Sequence, residues 1–257
     1  MKLNYNNITK DHITTKRDIT LIDLNTDFYL VVGCDVSGGI GPKPNDLIQV
    51  SGEIVGTFTT RVALMEVIST GASPFSVINT LTTSYQQKGQ EILAGIRKQA
   101  REVGLSEEMI NGSTEDNVNT RETGVGITVI GKVEKDKLSI ANTEAEDIIV
   151  SLGIPLVGEQ VLNKKDKIAD LNDLLTLCSH DIIHEIIPVG SKGIKYEAEL
   201  LAEMSGLVFK ERKQEDIDLS ASAGPGTVLL ASLSRENINK IEDNFTGKPL
   251  NIIGKVV

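Results

Sequence analysis

Residues 31–74 constrain the fold most, because they join a buried strand, a flexible turn and a long helix. The strand ends near an acid, Asp35, and the turn after it is rich in glycine and proline. The helix carries one carboxylate, Glu66, on an apolar face, and Gly71 ends it. Glycine is typical just after a helix, because it adopts left-handed backbone angles at little cost. The pattern predicts acids beside exposed backbone N–H groups, which suits a divalent cation and phosphate oxygens.

Hydrophobic periodicity predicts alternating strands and helices in two closely packed α+β halves. In the first half, strands are expected at residues 19–24, 28–34, 75–81, 124–133 and 137–142, and helices at 52–70 and 91–103. In the second half, strands are expected at residues 147–152, 227–233 and 250–257, helices at 170–178, 192–204 and after Ser234, and an apolar strand or loop at 181–188. The charged piece at residues 144–167 marks the boundary between the halves.

Composition excludes several classes of protein. The chain has 257 residues and a formal net charge of -10, whereas a general nucleic-acid binder normally presents a basic face. No apolar run is long enough to cross a bilayer, and the N-terminus lacks the apolar segment of a signal peptide. These features predict a cytoplasmic protein with neither nucleic acid nor membrane as partner. Cys34 and Cys178 form no metal-binding spacing, so both are expected as reduced core residues.

Several catalytic motifs are absent. The sequence contains no Walker A motif, no nucleophile elbow and no zincin motif. Gly39-Ile40-Gly41 lacks the third glycine and the following helix of a dinucleotide-binding fingerprint. The absence of a Walker A motif excludes a P-loop kinase.

The acids allow both structural and functional interpretations. Asp35, just before a glycine-rich turn, is either an Asx-type turn residue or part of a metal or phosphate site. Glu66 is either exposed at the edge of its apolar stripe or held inward by a cation or a base, because a buried carboxylate without a partner is costly. Glu115 and Asp116 are either turn and helix-capping acids or ligands.

The basic residues and histidines leave alternatives open as well. Lys16 and Arg17 precede a strand and either bind phosphates or form a solvated basic turn. His180 and His184 would share a helix face, but the isoleucines around them favour a strand. Two histidines without a third ligand indicate zinc only weakly. Together with Asp181 they are therefore interpreted either as substrate contacts or as structural residues.

The order of the motifs resembles one superfamily over almost the whole chain. That superfamily contains aminoimidazole ribonucleotide synthase, thiamine-monophosphate kinase, selenophosphate synthetase and the hydrogenase-maturation carbamoyl dehydratase. Residues 65–74 are similar to its helix motif ending in Gly-Ala-x-Pro, and Asn111-Gly112-Ser113-Thr114 to its Gly-Gly-acid-Thr motif. Residues 128–133 resemble its strand ending in Val-x-Gly. Residues 222–229 and 252–256 resemble its C-terminal domain.

The resemblance implies an α+β fold of two α/β-sandwich-like halves. Residues 1–143 would bind ATP and Mg²⁺ and form a barrel in a homodimer, to which an exposed strand at 19–24 would contribute. Residues 144–257 would lie on the side of a small-molecule substrate. The implied catalytic and metal-binding residues are Asp35, Glu66 and Asp116. The implied nucleotide-binding residues are Lys16, Arg17, Asp18, Gly38, Gly39, Lys43, Arg61, Gly112, Ser113, Thr114 and Glu115. The candidate acceptor-binding residues are His180, Asp181 and His184.

Three departures from the superfamily pattern bear on the site. Glu66 replaces an aspartate, and its longer side chain would move a bound ion. Ser113 stands where an acid is usual, which leaves Glu115 or Asp116 to supply the charge. Residues 181–184 replace the usual Asp-x-Ser-Asp-Gly of the C-terminal half, which changes the substrate side.

Within the superfamily, residues 17–22, 34–41 and 59–66 resemble the α-ribazole kinases of corrinoid salvage. That resemblance implies ATP-dependent phosphorylation of a hydroxyl on a small nucleoside-like molecule. Two other classes stay open. One is a different ATP-using activation, such as the phosphorylation of thiamine monophosphate. The other is a non-catalytic ATP-binding partner protein, which the missing acid at Ser113 would favour.

Overall fold

Two large β-sheets, each packed against helices, form most of the molecule, and β4 and β5 form a separate parallel pair. A computed structural model describes residues 10–24, 26–213, 217–245 and 247–257. The first half contains strands β1 (Ile13–Lys16), β2 (Ile19–Asp23), β3 (Phe28–Gly38), β4 (Ile40–Gly41), β5 (Ile48–Gln49), β6 (Ser73–Leu81), β7 (Ile110–Thr114) and β8 (Gly124–Glu134), and helices α1 (Gly52–Ile68) and α2 (Gln90–Glu102). The second half contains strands β9 (Ile148–Gly153), β10 (Ile183–Pro188), β11 (Phe209–Glu211), β12 (Val228–Leu233) and β13 (Leu250–Val256), and helices α3 (Glu159–Asn163), α4 (Leu171–Cys178), α5 (Ile194–Met204) and α6 (Asn239–Glu242).

The first sheet has six strands in the order β1-β2-β3-β8-β6-β7. Its pairs are antiparallel except β6 with β7, which are parallel. Side chains alternate across a strand, so Val125 and Val129 of β8 are fully buried on the face that packs against α1. The opposite face leaves Val36 77% exposed and Ile78 37% exposed. This sheet therefore has one covered face and one open apolar face.

Helix α1 is buried on nearly every side, because it lies between the first sheet, α2 and elements of the second half. It begins at Ser51, whose hydroxyl accepts a hydrogen bond from the Ile54 N–H at 3.3 Å. Glycine is required where α1 meets α2, since a Cβ at Gly56 would lie only 2.2 Å from the carbonyl oxygen of Ile92. Glu53 in the first turn of this helix is exposed, whereas Glu66 near the other end is buried beside a cavity.

The second sheet is antiparallel, has five strands in the order β10-β12-β9-β13-β11, and is covered on both faces. All residues of β9 and β12 are buried. Ile148 and Val150 pack into the core shared with the first half and α4, whereas Ile149 packs with Leu201 of α5. Burial on both faces explains why these strands are continuous apolar runs.

The structure confirms the α+β class with two sandwich-like halves, but the strand expected at residues 137–142 is wrong. A 3₁₀ turn, Lys135–Lys137, is followed by a loop whose N–H groups bond elsewhere. Ser139 N donates to the Thr70 carbonyl at 2.8 Å, and Ala141 N donates to the Glu185 carboxylate at 3.1 Å. The loop therefore ties the first half to the second instead of extending the sheet.

Smaller elements also differ from expectation. The helix expected after Ser234 is reduced to a 3₁₀ turn, Arg235–Asn237, followed by the short α6. Strands β1, β7 and β11 and helix α3 were not expected, because elements of three to five residues leave too little periodicity to recognise. Strand β1 pairs with β2, so residues 19–24 are not an exposed edge.

The two cysteines are not core residues as expected. Both Cys34 and Cys178 are exposed and free. Cys34 lies on β3, with its sulfur 3.4 Å from the hydroxyl of Thr128 on β8. Among the residues that the structure describes, no helix combines the length and the apolar character needed to span a membrane.

Candidate functional site

A cleft of about 680 Å³ opens beside α1, between the two halves. The end of β3 and one side of α1 form the wall from the first half. Residues 157–158, 161–162, 190–191 and 224–225 form the wall from the second half. The cleft follows α1 from Ile54 to Glu66, which is roughly 18 Å at 1.5 Å per residue. One end carries acids, and the other end is apolar.

Asp35 enters the cleft from β3. It lies on the same side of the strand as Gly33, which packs so closely on α1 that a Cβ there would stand 2.9 Å from Val67. Burial raises the pKa of Asp35 to about 6, and a hydrogen bond from the Val36 backbone opposes this increase. A positive charge bound next to this carboxyl would stabilise its ionised form and lower its pKa again.

Glu66 enters the cleft from α1 and is only 8% exposed. Within the described part of the chain, its carboxylate has no hydrogen-bond or ion-pair partner. Burial is the main cause that raises the pKa of Glu66 to about 8, and Arg17 opposes it. The negative charges of Asp18, Glu197 and Asp35 raise it further. An unpartnered buried carboxylate is costly, so this side chain marks the acid end as the candidate site.

Glu197 of α5 is a buried acid next to Gly190, which lines the cleft, and sequence reasoning missed it. It is 7% exposed, and the backbone of Gly190 forms a hydrogen bond with it. Burial raises the pKa of Glu197 to about 7, and the charge of Asp18 adds to the effect. The signal that identified Glu66, a carboxylate on the apolar face of a helix, was also present at Glu197.

The apolar end of the cleft is built from both halves. Ile48, Ile54 and Phe58 contribute from the first half, and Val161 and Leu162 contribute from α3 of the second. A wall of this kind fits a flat, uncharged group, because it offers contact area without hydrogen-bonding groups.

The glycine turn after β3 approaches the cleft but is held by its own hydrogen bonds. Gly38 lines the cleft, and Gly39 has a φ of 69°, which favours glycine. The N–H of Gly39 donates to the Thr123 carbonyl at 2.9 Å. Lys43 Nζ donates to the Thr82 carbonyl at 2.6 Å and also contacts the hydroxyl of Thr120. Lys43 therefore anchors this turn locally.

The predicted arginines are engaged within the protein. Arg17 forms a buried ion pair with Glu185, at 2.6 Å. Arg61 is buried, donates to the Pro225 carbonyl at 2.8 Å and stacks over Phe58, with 4.2 Å to the ring centroid. Burial lowers the pKa of Arg61 to about 10, partly offset by nearby acids. Lys16 is exposed on β1 and does not line the cleft.

The predicted segment from Gly112 to Asp116 lies apart from the cleft acids. Asp116 accepts hydrogen bonds from the Tyr85 N–H at 3.0 Å and the Thr114 hydroxyl at 2.7 Å. Glu115 accepts from the backbone N–H groups at residues 117 and 118. Ser113, Thr114 and Glu115 line a second cavity of about 600 Å³ on the open face of the first sheet. The structure therefore does not bring Asp116 to Asp35 and Glu66 within one chain.

The predicted acceptor residues also lie away from the cleft. A ring nitrogen of His180 is 2.6 Å from the side-chain amide of Asn244. His184 Nδ1 is 2.6 Å from the Asp147 carboxylate. Asp181 is exposed in the turn before β10. None of the three candidates lines the cleft, so the second half contributes its wall through other residues.

The acids fit a magnesium ion that also binds phosphate oxygens. Among the residues that the structure describes, no group of three or more His, Cys, Asp or Glu side chains is placed to hold a metal by itself. Magnesium commonly uses one or two carboxylates and completes its octahedron with water and substrate phosphates. Asp35, which is partly buried, and Glu66, which is buried, both line the acid end of the cleft and would provide such a pair.

Comparisons with known proteins place the first half in a family. Residues 16–133 match the sequence model described as AIR synthase related protein, N-terminal domain. A thiamine-monophosphate kinase from Stenotrophomonas maltophilia K279a has a TM-score of 0.63 and 15% identity, covering 96% of this chain and 89% of that one. AaThiL in complex with AMPPCP and TMP has a TM-score of 0.62 and 14% identity, with coverage of 93% and 84%. HypE from E. coli, a hydrogenase maturation protein, has a TM-score of 0.64 and 14% identity, with coverage of 88% and 79%.

These findings confirm the superfamily that the motifs predicted. Residues 16–133 match the model of that N-terminal domain, and the whole chain shares its fold with structures of thiamine-monophosphate kinase and HypE. A search of curated proteins gave no match.

Proposed function

We propose that the chain is an ATP- and magnesium-dependent kinase that phosphorylates a hydroxyl of a small nucleoside-like molecule. The observation that carries this proposal is the cleft, which holds buried acids at one end and an apolar wall at the other. The proposed acceptor is α-ribazole. Its support is the resemblance of residues 17–22, 34–41 and 59–66 to α-ribazole kinases, since Asp18, Asp35 and Glu66 of these segments line the cleft.

In this proposal Asp35 and Glu66 hold magnesium together with phosphate oxygens of ATP. Phosphoryl transfer requires little covalent chemistry from the protein, and its rate depends on positioning and charge stabilisation. Bound magnesium would neutralise the charge that develops on the transferred group. The two carboxylates would keep the ion at the buried end of the cleft, where water competes least.

The chemistry of the other cleft walls indicates which part of the ligand each wall would contact. Small residues on both sides, Ser37 and Gly38 on one and Gly190 and Ser191 on the other, leave room for a phosphate chain near the backbone. The flat base of a nucleoside-like ligand would lie against Phe58 and the apolar residues of α3. The acceptor side is thus assigned to residues 157–158 and 161–162 rather than to the histidines.

A second candidate function is phosphorylation of thiamine monophosphate. The likeness in fold to a thiamine-monophosphate kinase favours this alternative, although the identity is only 15%. Both candidates use the same magnesium nucleotide and differ in the acceptor.

The direct test measures ADP formation by the purified chain with ATP, Mg²⁺ and a panel of acceptors. α-Ribazole should support turnover and yield its phosphate ester, and removal of Mg²⁺ with EDTA should abolish the reaction. Turnover with thiamine monophosphate alone would support the second candidate. Tight ATP binding without turnover on any acceptor would contradict the kinase proposal and favour a non-catalytic partner protein.

We also propose a homodimer formed through the open face of the first sheet. Val36 and Ile78 are exposed on this face beside the partly buried Thr128. Covering such a patch with a second copy would remove it from water. Sedimentation should show a dimer at micromolar concentration, and Val36→Asp should shift it toward monomer. A monomeric parent protein would contradict this proposal.

A further inference from the structure

The turn between β1 and β2 carries a cleft acid and contacts the second half of the chain. Lys16 pairs with Ile19, so the turn consists of Arg17 and Asp18. Arg17 has a φ of 51°, a left-handed conformation that is uncommon for residues other than glycine. Such backbone strain persists only where the surroundings hold the residue in place. Asp18, the next residue, lines the acid end of the cleft.

The side chain of Arg17 is held by β10 of the second half. Arg17 Nη2 lies 2.6 Å from Glu185 Oε1, and the two side chains are 2% and 0% exposed. Arg17 Nη1 also donates to the Ile186 carbonyl at 2.9 Å. The buried ion pair therefore crosses from the first half to the second, directly beside the cleft acid Asp18.

Glu185 is fixed in turn by a network around its second oxygen. Its Oε2 accepts hydrogen bonds from the Asn142 N–H and the Thr143 hydroxyl, each at 3.1 Å. The Thr143 hydroxyl also lies 3.0 Å from the hydroxyl of Ser232 on β12. A buried ion pair is weak evidence for stability, because apolar replacements of similar size are often as stable. A better supported role for a buried ion pair is to hold the segments that it joins in one conformation.

We infer that Arg17 and Glu185 are positioning residues that hold the turn so that Asp18 faces the ligand in the cleft. The inference rests on the proposed function, because the position of Asp18 matters only if the cleft binds a charged ligand. The negative charge of Asp18 raises the pKa of Glu66, which lines the cleft on α1, and the pKa of Glu197 on α5. Displacement of the turn would therefore change the electrostatic environment of both carboxyl groups.

The test removes the ion pair while keeping the fold. Glu185→Gln preserves the size of the side chain but leaves Arg17 without its counter-ion, and this variant risks misfolding. The double variant Arg17→Met with Glu185→Leu removes both charges and should fold. Each is compared with Leu177→Ala, which creates a cavity in α4 away from the cleft. Urea unfolding establishes that every protein is folded under the assay conditions.

The readouts are binding of magnesium AMPPCP by titration calorimetry and the separate values of kcat and KM. The double variant should lose at least about tenfold in kcat/KM, in line with the loss of a positioned charge in an active site. Leu177→Ala should stay within about twofold of the parent, because it destabilises the fold without touching the turn. Equal activity of the double variant and the parent would overturn the inference.

A double-mutant cycle separates positioning from a purely structural role. If the ion pair acts through Asp18, adding the double variant to Asp18→Asn should lower kcat/KM by less than about twofold beyond Asp18→Asn alone. Losses that multiply independently would overturn the inference while leaving the kinase proposal intact. A parent protein that neither binds magnesium AMPPCP nor turns over would overturn both.

Discussion

The acids of the cleft and the acids at residues 115–116 share a sequence signature but have opposite environments. Glu66 is buried and has no partner among the described residues. Asp116 is exposed, and its two oxygens are occupied by Tyr85 and Thr114. An acid whose oxygens already accept hydrogen bonds from its own turn stabilises that turn. An acid that is buried and unpaired carries an energetic cost that a bound cation would remove. Burial of a carboxylate without a hydrogen-bond partner therefore distinguishes a candidate functional site from an acidic turn.

The largest effect that tests this comparison is on turnover. Asp35→Asn and Glu66→Gln should each lower turnover by well over tenfold, about 100-fold, because charge stabilisation of the transition state is lost. Asp116→Asn should stay within about threefold, since Asp116 stands apart from the cleft. Steady-state ADP formation checks all three variants. Full activity of either cleft variant would contradict the functional difference between the cleft acids and Asp116. An equal loss of turnover in Asp116→Asn would contradict it as well.

The next effect is on the pH dependence of stability. The pKa of Glu66 is raised from 4.5 to about 8 in the folded state, so folding favours its protonated form. Between these values the unfolded state binds fewer protons, and the free energy of unfolding therefore falls as pH rises. We expect a loss of about 3 to 4 kcal/mol from pH 5 to 8 in the absence of magnesium and nucleotide.

Urea unfolding across this pH range provides the measurement. Glu66→Gln cannot ionise at this position, so its profile should be flatter than that of the parent. Asp116→Asn is the matched control and should keep the slope of the parent. A parent protein whose stability rises from pH 5 to 8, with the same slope in Glu66→Gln, would contradict the assignment of Glu66 as an unpaired buried acid.

A third effect concerns the acceptor and compares the cleft wall with the histidine segment. Leu162→Ala should weaken acceptor binding by about tenfold through lost apolar contact, at about 25 cal/mol per Å². His184→Ala should leave acceptor binding within about twofold, because His184 bonds Asp147 outside the cleft. Titration calorimetry with the acceptor and with magnesium AMPPCP checks both variants. A selective loss of acceptor affinity in His184→Ala would restore the histidine to the site.

The smallest effect concerns the acidic turn itself. Glu115→Ala removes the acceptor for two backbone N–H groups, at residues 117 and 118. The loss should lower the free energy of unfolding by about 1 kcal/mol, as for a lost turn or cap hydrogen bond. Activity should be unchanged. A drop in turnover at unchanged stability would show that Glu115 acts in the functional site and is not only a structural residue of the turn.

Local pattern was sufficient for the long elements and for two of the cleft acids. The helix with Glu66 and the strand with Asp35 are long and strongly apolar, so their type and approximate bounds follow from hydrophobic periodicity. The pairing of β6 with β7 did not follow, because a five-residue parallel edge strand resembles a loop in sequence. The segment 137–142 was apolar enough to suggest a strand, but its N–H groups bond to Thr70 and Glu185 instead.

The α+β class, the acid on the apolar face of α1 and the superfamily follow from the amino-acid sequence alone, because they depend on residue type and on order along the chain. Which acids lie in the same cleft depends on the tertiary structure and does not follow from the sequence. Asp18 and Glu66 lie 48 positions apart (66 − 18), and only the packing of the elements places both side chains in one cleft. The tertiary structure also decided that Arg17 is an internal ion-pair partner, because the identity of the nearest counter-charge depends on folding and not on local sequence.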